Sequence, residues 1–241
     1  MRKNVIGKLG ICVLAMLSLA SSKLSAQDKV EANVAADVVS AYEWRGQDLG
    51  GPAVQPSLGI SYKGFSLGAW GSVALDKSST YTSEMDFTLG YTAGGFSAAI
   101  TDYYSLLDKN FGDVKYFKYG SHSTAHVYEA TLAYNFGPLA LAWNTNFAGN
   151  DYYKNENTKR AYSSYFQATA PFKISSVDFK AELGISPWET AYYGNSGFSV
   201  VNIGLTASKN VKIADFTLPV YAKVGVNPHT ERSFVVLGVT L

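Results

Sequence analysis

The sequence predicts an all-β fold: a transmembrane, antiparallel, up-and-down β-barrel of about twelve strands, preceded by a cleaved signal peptide. Three observations predict it. Apolar and polar residues alternate with a period of two along most of the chain. The connections between the alternating segments are short and long in turn, and the composition is rich in aromatic residues and poor in charges. We assign residues 1–26 to the signal peptide and residues 27–241 to the barrel.

The N-terminus has the order of a secretory signal peptide. Arg2, Lys3 and Lys8 precede an apolar run over residues 9–20, and a small, polar stretch then leads to Ala26. The apolar run is 12 residues long, whereas a helix needs roughly 20 to span a bilayer. We therefore expect cleavage after Ala26. The single cysteine, Cys12, would leave with the signal, so that the mature chain would have no disulfide.

The charge balance of the mature chain excludes one class of partner. Four of the 20 basic residues and none of the 19 acidic ones lie in residues 1–26, which leaves 16 basic against 19 acidic residues, a net charge of −3. This balance predicts no basic surface for nucleic acid. Charged residues make up 16% of the chain, against about 25% in soluble domains. Such a chain does not need to keep much of its surface in water.

Twelve segments show the alternation that places apolar side chains on one face of a strand and polar or small ones on the other. In chain order they cover residues 30–45, 54–63, 65–75, 84–91, 96–104, 126–136, 139–147, 162–170, 177–185, 199–207, 216–226 and 233–241. One residue fits badly. Asp102 follows Phe96, Ala98 and Ile100 on the apolar face of its strand, and we expect a β-bulge near Ile100 to turn it away.

The lengths of the connections indicate which ends of the strands lie together. Short turns are predicted at 63–64, 93–95, 137–138, 173–176 and 209–215, and longer connections at 46–53, 76–83, 105–124, 148–160 and 187–198, with a smaller one at 227–232. If the mature N-terminus is periplasmic, all the short turns are periplasmic and the long loops are extracellular, which is the layout of an outer-membrane barrel.

The apolar face is expected to point outward, towards lipid. The other face is rich in Gly, Ala, Ser and Thr, which suits a crowded lumen better than a solvated exterior. Alternation continues to Leu241, so that the last strand can pair with the first and leave no open edge. Aromatic residues gather near strand ends, as in the girdles at membrane interfaces. The predicted lipid-interface aromatics are Tyr42, Trp44, Tyr62, Phe65, Tyr91, Phe96, Phe136 and Phe147.

The N-terminal strands also resemble a known family. The run ADVVSAYEWRGQDLGGPAVQPSLGISYKGFSLGAWGSV is similar to the N-terminal signature of the TorF-type porins, conserved and uncharacterised outer-membrane proteins of Gram-negative bacteria, most closely in their Bacteroidetes-like version. The resemblance rests on Ser40-x-Tyr42-x-Trp44-Arg45-Gly46, Pro52-Ala53-x-Gln55, Gly68-x-Trp70 and Glu84-x-Asp86 followed by Gly90-Tyr91. It is clear over residues 34–100 and holds elsewhere only in layout. In many family members the second strand is richer in glycine and has an extra aromatic region, so this chain departs from the family pattern at that strand. The resemblance implies a porin but no particular solute or binding residue.

The position of residues along the strands predicts a charged lumen. Twelve strands lie between the eight of a filled barrel and the sixteen or more of an open one, so we expect a narrow channel for small hydrophilic solutes or ions. More acids than bases point inward, which would favour cations; the same groups could instead pair structurally. Glu84 and Asp86 share a face and could hold a cation or pair with a base such as Lys63. The candidate pore-lining residues are Asp37, Glu43, Arg45, Gln55, Lys63, Trp70, Glu84, Asp86, Glu129, Asp178, Lys180, Glu182, Tyr221 and Lys223.

Other functional classes have weaker support. A lipid-modifying outer-membrane enzyme would need a nucleophile and a base, and Ser123 beside His122 in the longest loop is weak evidence for them. His122 and His126 are four residues apart, a spacing that suits a metal on a helix but not at the start of a strand. We expect no catalytic residue, cofactor or metal. The alternative is a non-conducting barrel that serves as a surface anchor or adhesin through its loops. The expected partners are outer-membrane lipid, lipopolysaccharide, small solutes or ions, and the barrel-assembly machinery.

Overall fold

The computed structural model describes residues 29–76, 83–106, 115–120, 122–153 and 159–241. The predicted signal peptide lies outside the described residues. Fourteen strands form the described structure: β1 (Glu31–Val39), β2 (Tyr42–Trp44), β3 (Gln47–Gly50), β4 (Ala53–Tyr62), β5 (Phe65–Ala74), β6 (Ser83–Ala93), β7 (Phe96–Leu106), β8 (His126–Asn135), β9 (Ala140–Gly149), β10 (Ser164–Ile174), β11 (Val177–Ser186), β12 (Ser199–Ile213), β13 (Phe216–Asn227) and β14 (Arg232–Thr240). No helix of the described residues is long and apolar enough to cross a bilayer.

Twelve of these strands close into an antiparallel barrel, as the sequence predicts. Around the wall the order is β1, β4 and then each strand in turn to β14, which pairs with β1. Closure joins Asp37 to Thr240 and Val39 to Gly238 in register, and Leu241 exchanges backbone hydrogen bonds with Ala36. The barrel therefore has no open edge, so its main-chain polar groups are paired around the whole wall.

The period-two pattern has the predicted orientation, with apolar side chains outside. Val34, Leu58 and Leu237 are more than half exposed on the outer face. Asp37, Gln55 and Val236, which have the opposite parity on the same three strands, are buried inside. The expected exterior aromatics Tyr62, Phe65, Tyr91, Phe96, Phe136 and Phe147 are likewise all exposed. The described molecule is thus inverted relative to a soluble barrel, in which the apolar face is the buried one.

Five short turns lie at one end of the barrel, and the longer connections lie at the other end together with the four-residue connection between β13 and β14. The pairs β4–β5, β6–β7, β8–β9, β10–β11 and β12–β13 are joined by two to four residues. We call this the short-turn end, and the opposite end the long-loop end. The long-loop end includes residues 40–52, and this connection does not run around the outside of the barrel. It contains β2 and β3, which form a separate two-stranded sheet.

The predicted bulge at Ile100 is wrong. Strand β7 pairs with β6 and β8 in uninterrupted register, with Asp102 opposite Phe87 and Tyr128. Asp102 therefore stays on the outer face, and its carboxylate lies 2.8 Å from Nδ1 of His126. The other ring nitrogen of His126 lies 2.7 Å from the carbonyl oxygen of Tyr116. Because the segment around Tyr116 covers this spot, His126 is completely buried although it belongs to the outer face.

Candidate functional site

The connection between β1 and β4 folds into the barrel as a β-hairpin, which we call the inner hairpin (residues 42–50). It reverses at Arg45 and Gly46, whose φ angles are 51° and 80°, so that Trp44 faces Gln47 across a two-residue turn. Two positive φ values in succession are the geometry of a type I′ turn. Gly46 suits its position, and a Cβ there would also collide with the carbonyl oxygen of Val201 in the wall.

Placing Tyr42 and Trp44 at the lipid interface is wrong. Both are only 7% exposed and belong to an apolar cluster inside the barrel, with Tyr165, Tyr193 and Val201. The physical reason is that the barrel strand ends at Val39 and the chain then turns inward. Alternation continues through the bend, since a hairpin also has a period of two. The pattern therefore does not distinguish an outer strand from an inner one.

Arg45 at the tip of the inner hairpin lies in a closed set of contacts. Its Nη1 and Nη2 donate to the two carboxylate oxygens of Glu129, at 2.6 and 2.8 Å. Nη1 also donates to the hydroxyl of Tyr193 at 2.7 Å. The guanidinium carbon lies 4.3 Å from the ring centre of Trp44 and 4.7 Å from that of Tyr165. Bidentate pairing and ring stacking are the interactions that distinguish arginine from lysine.

The wall supplies the partners of Arg45 from several elements. Glu129 is on β8, Tyr165 on β10, and Tyr103 on β7 donates from its hydroxyl to Glu129 at 3.0 Å. Tyr193 comes from the connection between β11 and β12, and its ring stacks on that of Tyr165. We call Tyr103, Glu129, Tyr165 and Tyr193 the guanidinium cage. Burial is the largest single effect and lowers the pKa of Arg45, but Glu129 and the other cage residues together outweigh it, so that the Arg45 pKa is raised.

The hydroxyl of Tyr193 stays protonated in this setting. Burial raises the pKa of Tyr193 well above its ordinary value, although Arg45 acts in the opposite direction. Tyr193 therefore remains a neutral hydroxyl, and its oxygen can accept the hydrogen bond from Arg45 at any physiological pH.

A second ion-pair network anchors the base of the turn. Glu43 is bound by Lys223, which also lies 3.3 Å from Glu182, and Lys180 lies 3.2 Å from the same acid. Glu43 in turn accepts a hydrogen bond from the backbone nitrogen of Gly46 at 2.6 Å. These charges compensate one another, as the pairing interpretation of the lumen predicts.

Glu84 and Asp86 lie on the inner wall beside the start of the inner hairpin. Tyr42 donates to Glu84 at 2.6 Å, and the ring of Tyr42 packs on Trp70, with ring centres 5.6 Å apart. Within the described part of the chain, neither acid has a basic partner. Pairing with Lys63 is wrong, because Lys63 is exposed in the turn between β4 and β5.

The other predicted lumen residues divide by position. Asp37, Gln55, Trp70, Lys180, Glu182, Tyr221 and Lys223 all point into the barrel. Asp178 does not belong with them: its side chain is 61% exposed at the short-turn end, where it pairs with Lys173. Lys63 and Asp178 are both too close to a turn for the strand pattern to keep them inside.

The strand pattern does not single out three members of the cage as functional residues: Tyr103, Tyr165 and Tyr193. A signal for Tyr165 does exist. Gly184 on the neighbouring strand has an inward position, and a Cβ there would collide with the Tyr165 ring. An inward glycine beside an inward tyrosine indicates that the ring lies flat across the wall. Tyr193 has no such signal, because it lies in a connection without alternation. The described residues contain no cluster of metal-binding side chains.

Comparison with known proteins gives one family. A family model described as a bacterial protein of unknown function (Gcw_chp) matches residues 23–229, which include the inner hairpin and all four cage residues. The chain belongs to the Gcw_chp family. No curated protein matches it. Since the Gcw_chp description names no activity, the function has to be argued from the barrel and the groups inside it.

Proposed function

We propose that this Gcw_chp chain is an outer-membrane β-barrel of a Gram-negative bacterium, and that it forms a narrow channel for passive passage of small hydrophilic solutes or ions. The single observation that carries the proposal is the closed barrel of twelve strands with apolar side chains outside and charged groups inside. Apolar side chains on the outer face are stable only against lipid. The resemblance to TorF-type porins and the predicted signal peptide support the same location, with lipid and lipopolysaccharide as surroundings and the barrel-assembly machinery as a partner during biogenesis.

The inner hairpin makes the channel narrow. Its side chains extend from Glu84 on β6 to Glu129 on β8 and Lys223 on β13, and thus reach several sides of the lumen. Solutes would have to pass beside the hairpin or displace it. Glu84 and Asp86, the inward acids without a basic partner in the described part of the chain, would give the passage a preference for cations. The proposal includes no catalytic step.

Planar-bilayer recording tests the proposal. The mature chain, refolded and inserted, should give discrete current steps that a mock preparation lacks. Far-ultraviolet circular dichroism must show a β-rich fold in the same sample. A folded, inserted barrel that stays silent at all voltages would contradict the channel.

The second candidate is a barrel that anchors functional loops at the cell surface. The observation that favours it is the aromatic cluster of Tyr42, Trp44, Tyr165 and Tyr193, which occupies the lumen towards the long-loop end. A silent barrel whose loops bind a surface ligand would support this alternative. The recording above therefore separates the two.

A further inference from the structure

The guanidinium cage and its occupant belong to different parts of the fold. Tyr103, Glu129 and Tyr165 are fixed on three strands of the barrel wall, whereas Arg45 reaches them from the inner hairpin. The hairpin strands pair only with each other and are not part of the barrel ladder. These three cage residues can therefore keep their places when Arg45 leaves, because they are held by the wall strands and not by the hairpin.

We propose that the guanidinium cage is a binding site for solutes that carry a guanidinium group, and that Arg45 occupies this site as an internal stand-in for the solute. The inference rests on the proposed channel, since a solute has to enter the lumen to reach Glu129. An arriving guanidinium would replace Arg45 on Glu129 and thereby release the tip of the inner hairpin.

The chemistry of the cage selects a planar cation. Glu129 receives two parallel N–H donors, the ring of Tyr165 covers one face of the plane, and the Tyr193 hydroxyl accepts a further N–H. An ammonium group has the charge but lacks the fork and the flat face. A neutral amide or urea has the plane but lacks the charge. Selectivity should therefore follow the order guanidinium, ammonium, urea.

Burial makes an empty cage unfavourable. Glu129 is only 2% exposed, and a buried carboxylate without a cation is strongly destabilising. Some cation must occupy the position whenever the wall is closed around it. Exchange of one guanidinium for another avoids that penalty, because Glu129 remains paired.

The geometry of the turn favours exchange. Arg45 has a φ of 51°, a conformation that costs a non-glycine residue free energy and persists only where contacts impose it. Its Nε also has no hydrogen-bond partner among the described residues, although it is buried. Arg45 thus fills the cage with a strained backbone and one unpaired donor. A free guanidinium solute has neither cost.

Adding a free guanidinium compound to a variant that lacks the Arg45 side chain tests the site without relying on conductance. Arg45→Gly removes the guanidinium and suits the left-handed turn, so this variant should fold; Arg45→Ala is measured beside it. Propylguanidinium should stabilise Arg45→Gly saturably against thermal unfolding, and ethylguanidinium should do so for Arg45→Ala. The matching alkylammonium should bind on the order of tenfold more weakly, since it loses the bidentate pair. Urea should have no effect at the same millimolar concentrations.

Two controls separate a binding site from a merely structural arginine. The Glu129→Gln change, added to Arg45→Gly, should abolish the response to propylguanidinium. In the wild-type chain, propylguanidinium should shift tryptophan emission to longer wavelength as Trp44 leaves the cluster, and Trp44→Phe should lack the shift. Equal responses to ammonium and guanidinium, or a response that survives Glu129→Gln, would overturn the cage. A silent barrel that still binds guanidinium selectively would overturn the channel instead.

Discussion

At the scale of single residues, the inward acids show what the sequence can and cannot predict. The period of two places Glu84, Asp86 and Glu129 inside, and they are inside. Their partners depend on distant parts of the chain: Tyr42 for Glu84 and Arg45 for Glu129, the latter 84 residues apart in sequence. Alternation fixes the side of the wall on which a residue lies but carries no information about what faces it across the lumen.

Asp102 makes the same point on the outer face. Asp102 conflicts with the apolar pattern of its own strand, and the local sequence gives no reason for it because its partner His126 is 24 residues away. A charge on an apolar face is acceptable once a buried partner lies beside it. The period of two alone therefore predicts a bulge, where the structure has a hydrogen bond between Asp102 and His126.

The charge preference of the channel should depend on Glu84 and Asp86. The double change Glu84→Gln and Asp86→Asn keeps the size of both side chains and an acceptor for Tyr42. It should lower the preference for cations, measured as the reversal potential in a salt gradient. Asp178→Asn is the control, since Asp178 is exposed at the short-turn end. An unchanged reversal potential in the double variant would mean that the pair only supports the hairpin.

At the scale of elements, the twelve barrel strands could be predicted and the inner hairpin could not. Each barrel strand has its own period of two and a turn signal such as Lys63-Gly64 or Gly137-Pro138. Residues 30–45 read as one strand because alternation runs through Ser40. The turn at Arg45-Gly46 lacks the Asn-Gly or Asp-Gly signal that marks most two-residue hairpins. It is imposed by Arg45 bound to Glu129 and by the small space at Gly46.

Gly46→Ala should release the inner hairpin from the wall. The new Cβ would meet the backbone of Val201, which cannot move aside, and the φ of 80° adds strain. Trypsin should then cut after Arg45, which is 5% exposed in the wild type, as read by mass spectrometry of the fragments. Gly94→Ala is a matched control, because Gly94 has a φ of 60° but no atom within 4 Å of the added Cβ. Equal protection of Arg45 in both variants would show that the hairpin tolerates the added methyl.

At the scale of the whole molecule, the apolar outer face of the barrel requires lipid around it. Leu183 is 45% exposed in the central part of β11, and Ile213 is 54% exposed at the end of β12 beside a short turn. In lipid vesicles, Leu183→Arg should lower the free energy of unfolding by roughly 2–4 kcal/mol and Ile213→Arg by about 0–1 kcal/mol. Urea titration of refolded protein in vesicles measures both. Equal, small costs would argue that the outer face meets water.

The barrel and the inner hairpin together form a closed wall whose lumen is narrowed by its own first connection. Val39 and Ala53 are direct partners in register, so the chain can cross from β1 to β4 without the hairpin. Replacing residues 41–51 by Asn-Gly keeps Ser40 and Pro52, which bond to the neighbouring strands, and removes everything that enters the lumen from this connection.

The decisive measurement of this narrowing is the single-channel conductance of the hairpin-free variant, compared with that of the wild type in the same bilayer and salt. We expect a conductance several-fold above that of the wild type, because the space occupied by Tyr42, Trp44 and Arg45 becomes available to water and ions. A folded, inserted variant with wild-type conductance would contradict it, since the inner hairpin could then not be what narrows the lumen.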